Sequence, residues 1–347
     1  MDRNIAGRTV EKDPPRCYDK VNFRRDREGK ALRNWKCVLS GLMAALCLAV
    51  IFPSAAVGAS YESIMINGMR YKLSNADQYY KASVVQKKAK NLNEAMAAFP
   101  EIPSYVYLIN SSRTVKVKKD VTEVPKVYKL IEEYYTDSTT DYLHFDSLEQ
   151  YASYFYTTDH HWNYRGSYAA YCQIIRMLLG EDEPVLEPVE TVTFPVKFNG
   201  SLNQTSNAKD SEEEFTVYRF EYPEMKIEVN GKPKTALGRE EAYFDGKYVK
   251  SIMANHYAYF YGGDNALVHV QTERTDRGNL LVISNSFSNA ITQLLASHYH
   301  NVWIVDQRYY EISMGKLFTI PEALTEWDVD QVLILGDGDY FSGRGIY

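Results

Sequence analysis

Three apolar runs near the C-terminus constrain the fold more than any other feature of the chain. "NLLVIS" (279–284), "NVWIVD" (301–306) and "VDQVLIL" (329–335) are continuously apolar, and "SFSNAITQLLASHY" (286–299) between the first two has helical character. A strand that is apolar on both sides must be covered on both faces, and strands separated by helices pair in parallel. The expectation is an α/β fold with a parallel sheet flanked by helices. Upstream, "SYVYLIN" (104–110) reads as another strand. Residues 78–99, 124–135, 146–156 and 164–180 read as helices, with Asp146 as N-cap of the third and Gly180 ending the fourth. A β-rich insertion is expected around 186–265, where "FTVYRFEY" and "MKIEV" precede "NGKP" (230–233), whose Asn-Gly pair suits a tight hairpin.

The N-terminus reads differently. Residues 1–36 carry eleven Lys/Arg against six Asp/Glu, a net +5 in a chain whose net charge is −6, so the remainder carries −11. A remainder this acidic argues against nucleic acid as a partner. The uncharged stretch that follows contains "CVLSGLMAALCLAVIF" (37–52), then Pro53 and small residues with Val57-x-Ala59 as a cleavage site. We therefore expect a basic cytoplasmic tail at 1–36, a signal peptide or membrane anchor at 37–59, and an exported domain at 60–347. Membrane contact runs through 37–59 if that segment is retained. Cys17, Cys37 and Cys47 precede the exported part, which keeps only Cys172. That leaves neither an intrachain disulfide nor a cysteine metal cage there.

Chemistry concentrates in "TTDHHWN" (157–163), which admits three readings: a metal clamp, part of a catalytic triad, or satisfied interior histidines. If the stretch is extended, Asp159 and His161 share a face and His160 points away. An aspartate so placed accepts the imidazole N–H, fixes its tautomer and stabilises the imidazolium, while Asn163 caps the next helix. A metal would need a third ligand from His144 or "DSEEE" (210–214), neither at a recognised zinc spacing. "LLVISNSFSNA" (280–290) bears on the choice. A buried strand running into a turn, with Ser286 opening a helix, presents a nucleophile at the carboxyl edge of a sheet, with its own backbone N–H available to an oxyanion. Ser288, one turn further on, points elsewhere.

Together, "TTDHHWNYRGSYAAY" and "LLVISNSFSNAITQLLASHYHNVWIVDQRYY" resemble the DHHW protein family, which is related to the alginate O-acetylation proteins AlgJ and AlgX and to SGNH hydrolases with a permuted order of motifs. The resemblance implies an SGNH-hydrolase-like parallel sheet, with Asp159 as orienter, His161 as base and Ser286 as nucleophile. It implies an exported bacterial O-acyltransferase that acetylates an extracellular or cell-wall polysaccharide through an acyl-Ser286 intermediate. A membrane-bound O-acyltransferase would supply the donor side, and neither cofactor nor metal is implied. Water as acceptor would make the same machinery a carbohydrate acetylesterase. A catalytically silent polysaccharide-binding or assembly protein is the remaining alternative, supported by Asn285 where the family commonly has an aspartate before the serine. Since SGNH enzymes complete an oxyanion hole with a glycine and an asparagine, Gly200 and Ser201 in "FNGSLNQ" and Gly263 and Asn265 in "YFYGGDN" are candidates for it, or else turn residues. Arg308 in "VDQRYY" organises the site, binds an anion, or forms a structural ion pair. "LGDGDYF" (335–341) reads as a turn rather than a metal site.

Overall fold

The computed structural model describes residues 61–66, 69–74, 80–111, 121–205, 213–244 and 255–343. The tail expected at 1–36 and the apolar segment at 37–59 lie outside them. Among the described residues no helix is long and apolar enough to cross a membrane.

The described strands, in chain order, are β1 (Tyr61–Ile66), β2 (Met69–Ser74), β3 (Ser104–Ile109), β4 (Ser138–Tyr142), β5 (Glu190–Lys197), β6 (Glu214–Arg219), β7 (Met225–Val229), β8 (Lys232–Lys234), β9 (Leu267–Thr272), β10 (Asn279–Ser284), β11 (Asn301–Val305) and β12 (Gln331–Asp337). One sheet joins eight of them in the order β4-β3-β12-β10-β11-β9-β7-β8. The first five are parallel, and β9, β7 and β8 extend the sheet antiparallel. Side chains alternate between two cores. Tyr107, Ile109, Leu280, Val282, Leu333 and Leu335 face one core, with helices Tyr164–Leu179 and Thr292–Ala296 over it. Val106, Leu108, Leu281, Ile283, Val332 and Ile334 face the other, under Ala82–Met96, Lys126–Tyr134 and Ile320–Glu326. Both faces of these strands are covered, so the continuous apolar runs bury nearly all of their aliphatic side chains, each fully buried one contributing about 1.5–3 kcal/mol.

Within the β-rich stretch, β5 and β6 form a separate antiparallel pair, and β7 and β8 build the edge of the main sheet. Asn230 and Gly231 turn the β7–β8 hairpin with φ of 51° and 72°, the left-handed pair an Asn-Gly turn supplies. Two local expectations differ. The helix after residue 146 starts at Leu148 with Ser147, not Asp146, as its cap, accepting from Gln150 N–H at 3.1 Å. The single helix expected over 286–299 is instead a 3-10 turn, Ser286–Ala290, followed by a short α-helix, Thr292–Ala296. Ser288 Oγ donates to Asn285 O and Asn289 Nδ2 to Gly263 O, so side chains here bond the backbone in place of α-helical continuation.

From β10 the chain crosses to β11 on one side, and β12 later pairs on the other. The C-terminal end of β10 is thus a topological switch point, where flanking connections diverge and leave a crevice.

Candidate active site

Ser286 follows β10 at that crevice. Asn285 caps the 3-10 turn, its Oδ1 accepting from Phe287 N–H at 3.3 Å. Opposite it stands the loop between helices Leu148–Tyr154 and Tyr164–Leu179. A bridge between Phe155 and Trp162 and a bond from Tyr156 N–H to His161 O pinch that loop shut. Asn163 caps the second helix, accepting from the N–H of Arg165 at 2.9 Å and of Gly166 at 3.2 Å. Residues 157–161 are a bend and not a strand, which corrects the basis of the face-sharing argument. Asp159 and His161 meet because one carboxylate oxygen, Oδ1, accepts from both the His161 backbone N–H (2.9 Å) and its ring Nδ1 (2.6 Å). Nor does His160 point away. Its ring lies 3.9 Å from that of His161, and its Nδ1 is 2.8 Å from Ser201 Oγ.

His161 Nε2 lies 2.7 Å from Ser286 Oγ, completing an Asp159–His161–Ser286 relay. Donation from Nδ1 to the carboxylate leaves Nε2 as the acceptor facing the hydroxyl. Asp159 is fully buried and His161 is 4 % exposed, whereas Ser286 is half-buried. Burial alone would raise the Asp159 pKa. The His161 and His160 imidazoles, with hydrogen bonds from His161 and from Ser201 N–H, outweigh it and hold the carboxyl well below the usual carboxylate range. Asp159, His160 and His161 also bring three donor atoms within 4.8 Å of one another. Both Asp159 oxygens and both His161 nitrogens are already committed to the hydrogen bonds of the relay and its support.

The residues expected as oxyanion-hole candidates make the following contacts. Ser201 N–H donates to Asp159 Oδ2 at 2.8 Å, on the side of the relay away from the serine. Gly200 permits that approach, because a Cβ there would sit 2.4 Å from Asp159 Cβ and 2.6 Å from Thr158 O. Gly263, with φ of 80°, accepts through its carbonyl from Asn265 Nδ2 (3.2 Å) and Asn289 Nδ2 (3.3 Å), tying its loop to the serine turn. Arg308 pairs with Asp306 at 2.5 Å and with Asp264 at 3.4 Å.

Three supports were not singled out from the sequence. Tyr257 stacks on the His161 ring, centroids 3.8 Å apart and planes 5° apart, and donates its hydroxyl to Ser286 O at 3.0 Å. Burial pushes its phenol well above the ordinary value, so it stays a neutral donor. Glu213, weighed above only as a metal ligand, accepts from Thr157 N–H at 2.9 Å and Thr157 Oγ at 2.8 Å, anchoring the approach to Asp159. Asp337, at the end of β12, receives Asn285 Nδ2 at 3.3 Å and caps the helix Gly338–Ser342. That contact explains the asparagine: an amide can donate to Asp337, where an aspartate would oppose it. Ser288 is buried and bonded to Ser284 Oγ at 2.6 Å, away from His161.

No curated protein matches the chain in sequence. Among solved structures, a DHHW family protein from Eubacterium siraeum is 17 % identical with a TM-score of 0.60, over 83 % of this chain and 93 % of that one. PatB1 from Bacillus cereus, carrying a sulfonyl adduct, is 16 % identical with a TM-score of 0.61, over 82 % and 97 %. The O-acetyltransferase domain of Pseudomonas putida AlgJ is more distant, 11 % identical with a TM-score of 0.45, over 82 % and 94 %. With PatB1 the chain shares an SGNH-like fold, a large central sheet flanked by helices. The sequence model of the DHHW protein family matches residues 128–305, just over half of the chain, which therefore belongs to that family.

Proposed function

We propose that the chain is an exported serine-dependent O-acyltransferase whose nucleophile is Ser286. The observation that carries this reading is the pair of contacts made by His161, 2.6 Å to Asp159 and 2.7 Å to Ser286. In the first half-reaction Ser286 Oγ attacks the acyl carbonyl carbon and its proton passes to His161 Nε2. The tetrahedral oxyanion draws on the Ser286 N–H, and its collapse expels the donor's alkoxide, which takes the proton back from His161. Asp159 holds the ring in place and stabilises the imidazolium. In the second half-reaction an acceptor hydroxyl attacks the acyl carbon of acyl-Ser286 and gives its proton to His161; collapse breaks the bond to Ser286 Oγ, which takes that proton back as the new ester leaves. The acceptor is a polysaccharide hydroxyl outside the cytoplasm and the group is acetyl, supplied through a membrane-bound O-acyltransferase. These assignments rest on the family resemblance and on the apolar segment behind a basic tail. A neighbour of the same fold, PatB1, carries a sulfonyl adduct, and sulfonyl electrophiles are consumed by activated nucleophiles. With water as acceptor the same residues make an acetylesterase.

The test uses the full-length protein with a fluorophosphonate and p-nitrophenyl acetate, beside Ser286→Ala and His161→Ala. Labelling and acetate release that vanish in both folded variants are expected. A folded wild type that neither labels nor releases acetate overturns the proposal in favour of a binding or assembly role.

A further inference from the structure

A cavity of about 840 Å³ opens beside the relay without containing it, and among the described residues neither Ser286 nor His161 borders it. Its walls are unusually rich in rings: Tyr164, Tyr168, Tyr218, Phe220, Tyr222 and Tyr261. The first five form a continuous aromatic run. Tyr164 and Tyr168 on one helix meet Tyr218 at 4.7 and 5.7 Å, and Phe220 links Tyr168 to Tyr222 at 5.8 Å on each side. Tyr261 connects this space to the relay through ring contacts, since it lies 4.8 Å from Tyr257, which stacks on His161. Asn289 and Gln293, on the segment that follows Ser286, belong to the same lining, with Asn289 Nδ2 donating to Gly263 O.

The charges in the lining are matched. Arg219 is held by Glu240 at 2.5 Å and Glu190 at 2.8 Å, and the remaining charged side chains, exposed Arg239 and Glu241, are one of each sign. Phenol faces with hydroxyls at their edges, amides and compensated charge are what a carbohydrate ring needs: C–H faces stack on the aromatics while hydroxyls exchange hydrogen bonds. An acyl chain has no use for the amides and phenols. A polyanion would require unpaired cations, and it would approach a part of the chain carrying −11.

We propose that this cavity is a binding site, separate from the reacting centre, for an uncharged carbohydrate segment, which holds the acceptor chain beside Ser286. The proposal rests on the acyl-transfer reading for its purpose but not for its test. The test titrates full-length Ser286→Ala with cellohexaose and chitohexaose, which are neutral, and with hexaguluronate, which is anionic, by calorimetry. A neutral hexasaccharide is expected to bind, and hexaguluronate is expected to bind more weakly. Adding Tyr218→Ala or the half-exposed Tyr222→Ala should weaken the neutral sugar about tenfold with the melting temperature retained. Three results overturn the proposal: neither neutral sugar binds, both aromatic variants bind as tightly as their parent, or hexaguluronate binds best. Because no turnover is read, such a failure leaves Ser286 chemistry standing. A folded wild type that fails to label with the fluorophosphonate, conversely, removes the acyl-transfer reading while leaving the titration interpretable.

Discussion

Replacing Asp159 by asparagine probes the relay with almost no change of shape. Its carboxylate serves three donors: His161 N–H at 2.9 Å, His161 Nδ1 at 2.6 Å and Ser201 N–H at 2.8 Å. An asparagine offers one oxygen and one NH₂ in their place. With the oxygen toward His161, the NH₂ confronts the Ser201 N–H, and a buried donor left without an acceptor costs about 1–3 kcal/mol. With the NH₂ toward His161, Nδ1 must accept, the ring proton moves to Nε2, and Ser286 loses its base. The expected loss is therefore about 10³–10⁴-fold in the rate of acyl-enzyme formation, or about 4–5.5 kcal/mol. The assay is the second-order rate of fluorophosphonate labelling, beside urea unfolding at several pH values. The folded pKa of Asp159 lies below its unfolded value of about 3.9, so its contribution to stability is present above that value. It is lost as pH falls through the folded value. The stability gap between wild type and Asp159→Asn should accordingly be widest near neutrality and close in acid. A folded Asp159→Asn that labels within tenfold of wild type would refute the relay.

Two further perturbations test its supports. Asn285→Asp places a second carboxylate about 3.3 Å from Asp337, a like-charge repulsion of up to about 4 kcal/mol when both are ionised. Urea unfolding should show a destabilised single variant and recovery in Asn285→Asp/Asp337→Asn; no coupling between the two would remove this account of the asparagine. Burial first, and then the nearby Asp159 charge, raise Glu213 to about 7 against the hydrogen bonds from Thr157 and Thr158. The protonated form is thus favoured on folding, a contribution fully present below the ordinary carboxyl value and lost as pH rises through about 7. Relative to wild type, Glu213→Gln should gain melting temperature between pH 5 and pH 8, and a constant difference would contradict the raised value.

The elements legible in the sequence are those set by short-range rules. The strand 279–284 was expected and found with the same bounds, since a continuously apolar run of that length must lie inside a parallel sheet. The Asn-Gly hairpin and the caps at Asn163 and Gly180 follow likewise from turn and cap chemistry carried by one or two residues. Asp159, His161 and Ser286 could be nominated because each sits in a motif whose local context is readable. Their meeting is another matter: 125 residues separate His161 from Ser286, and only the switch point at β10 closes that distance to 2.7 Å. Tertiary structure alone likewise decided that Ser201 turns its N–H to Asp159, that Tyr257 backs the imidazole, that Glu213 anchors Thr157, and that Asn285 answers Asp337. Each is a contact between segments remote in the chain, with no periodicity or spacing to betray it. Propensity and patterning act within a few residues, whereas a buried carboxylate finds its donors among whatever the packed core brings within 3 Å.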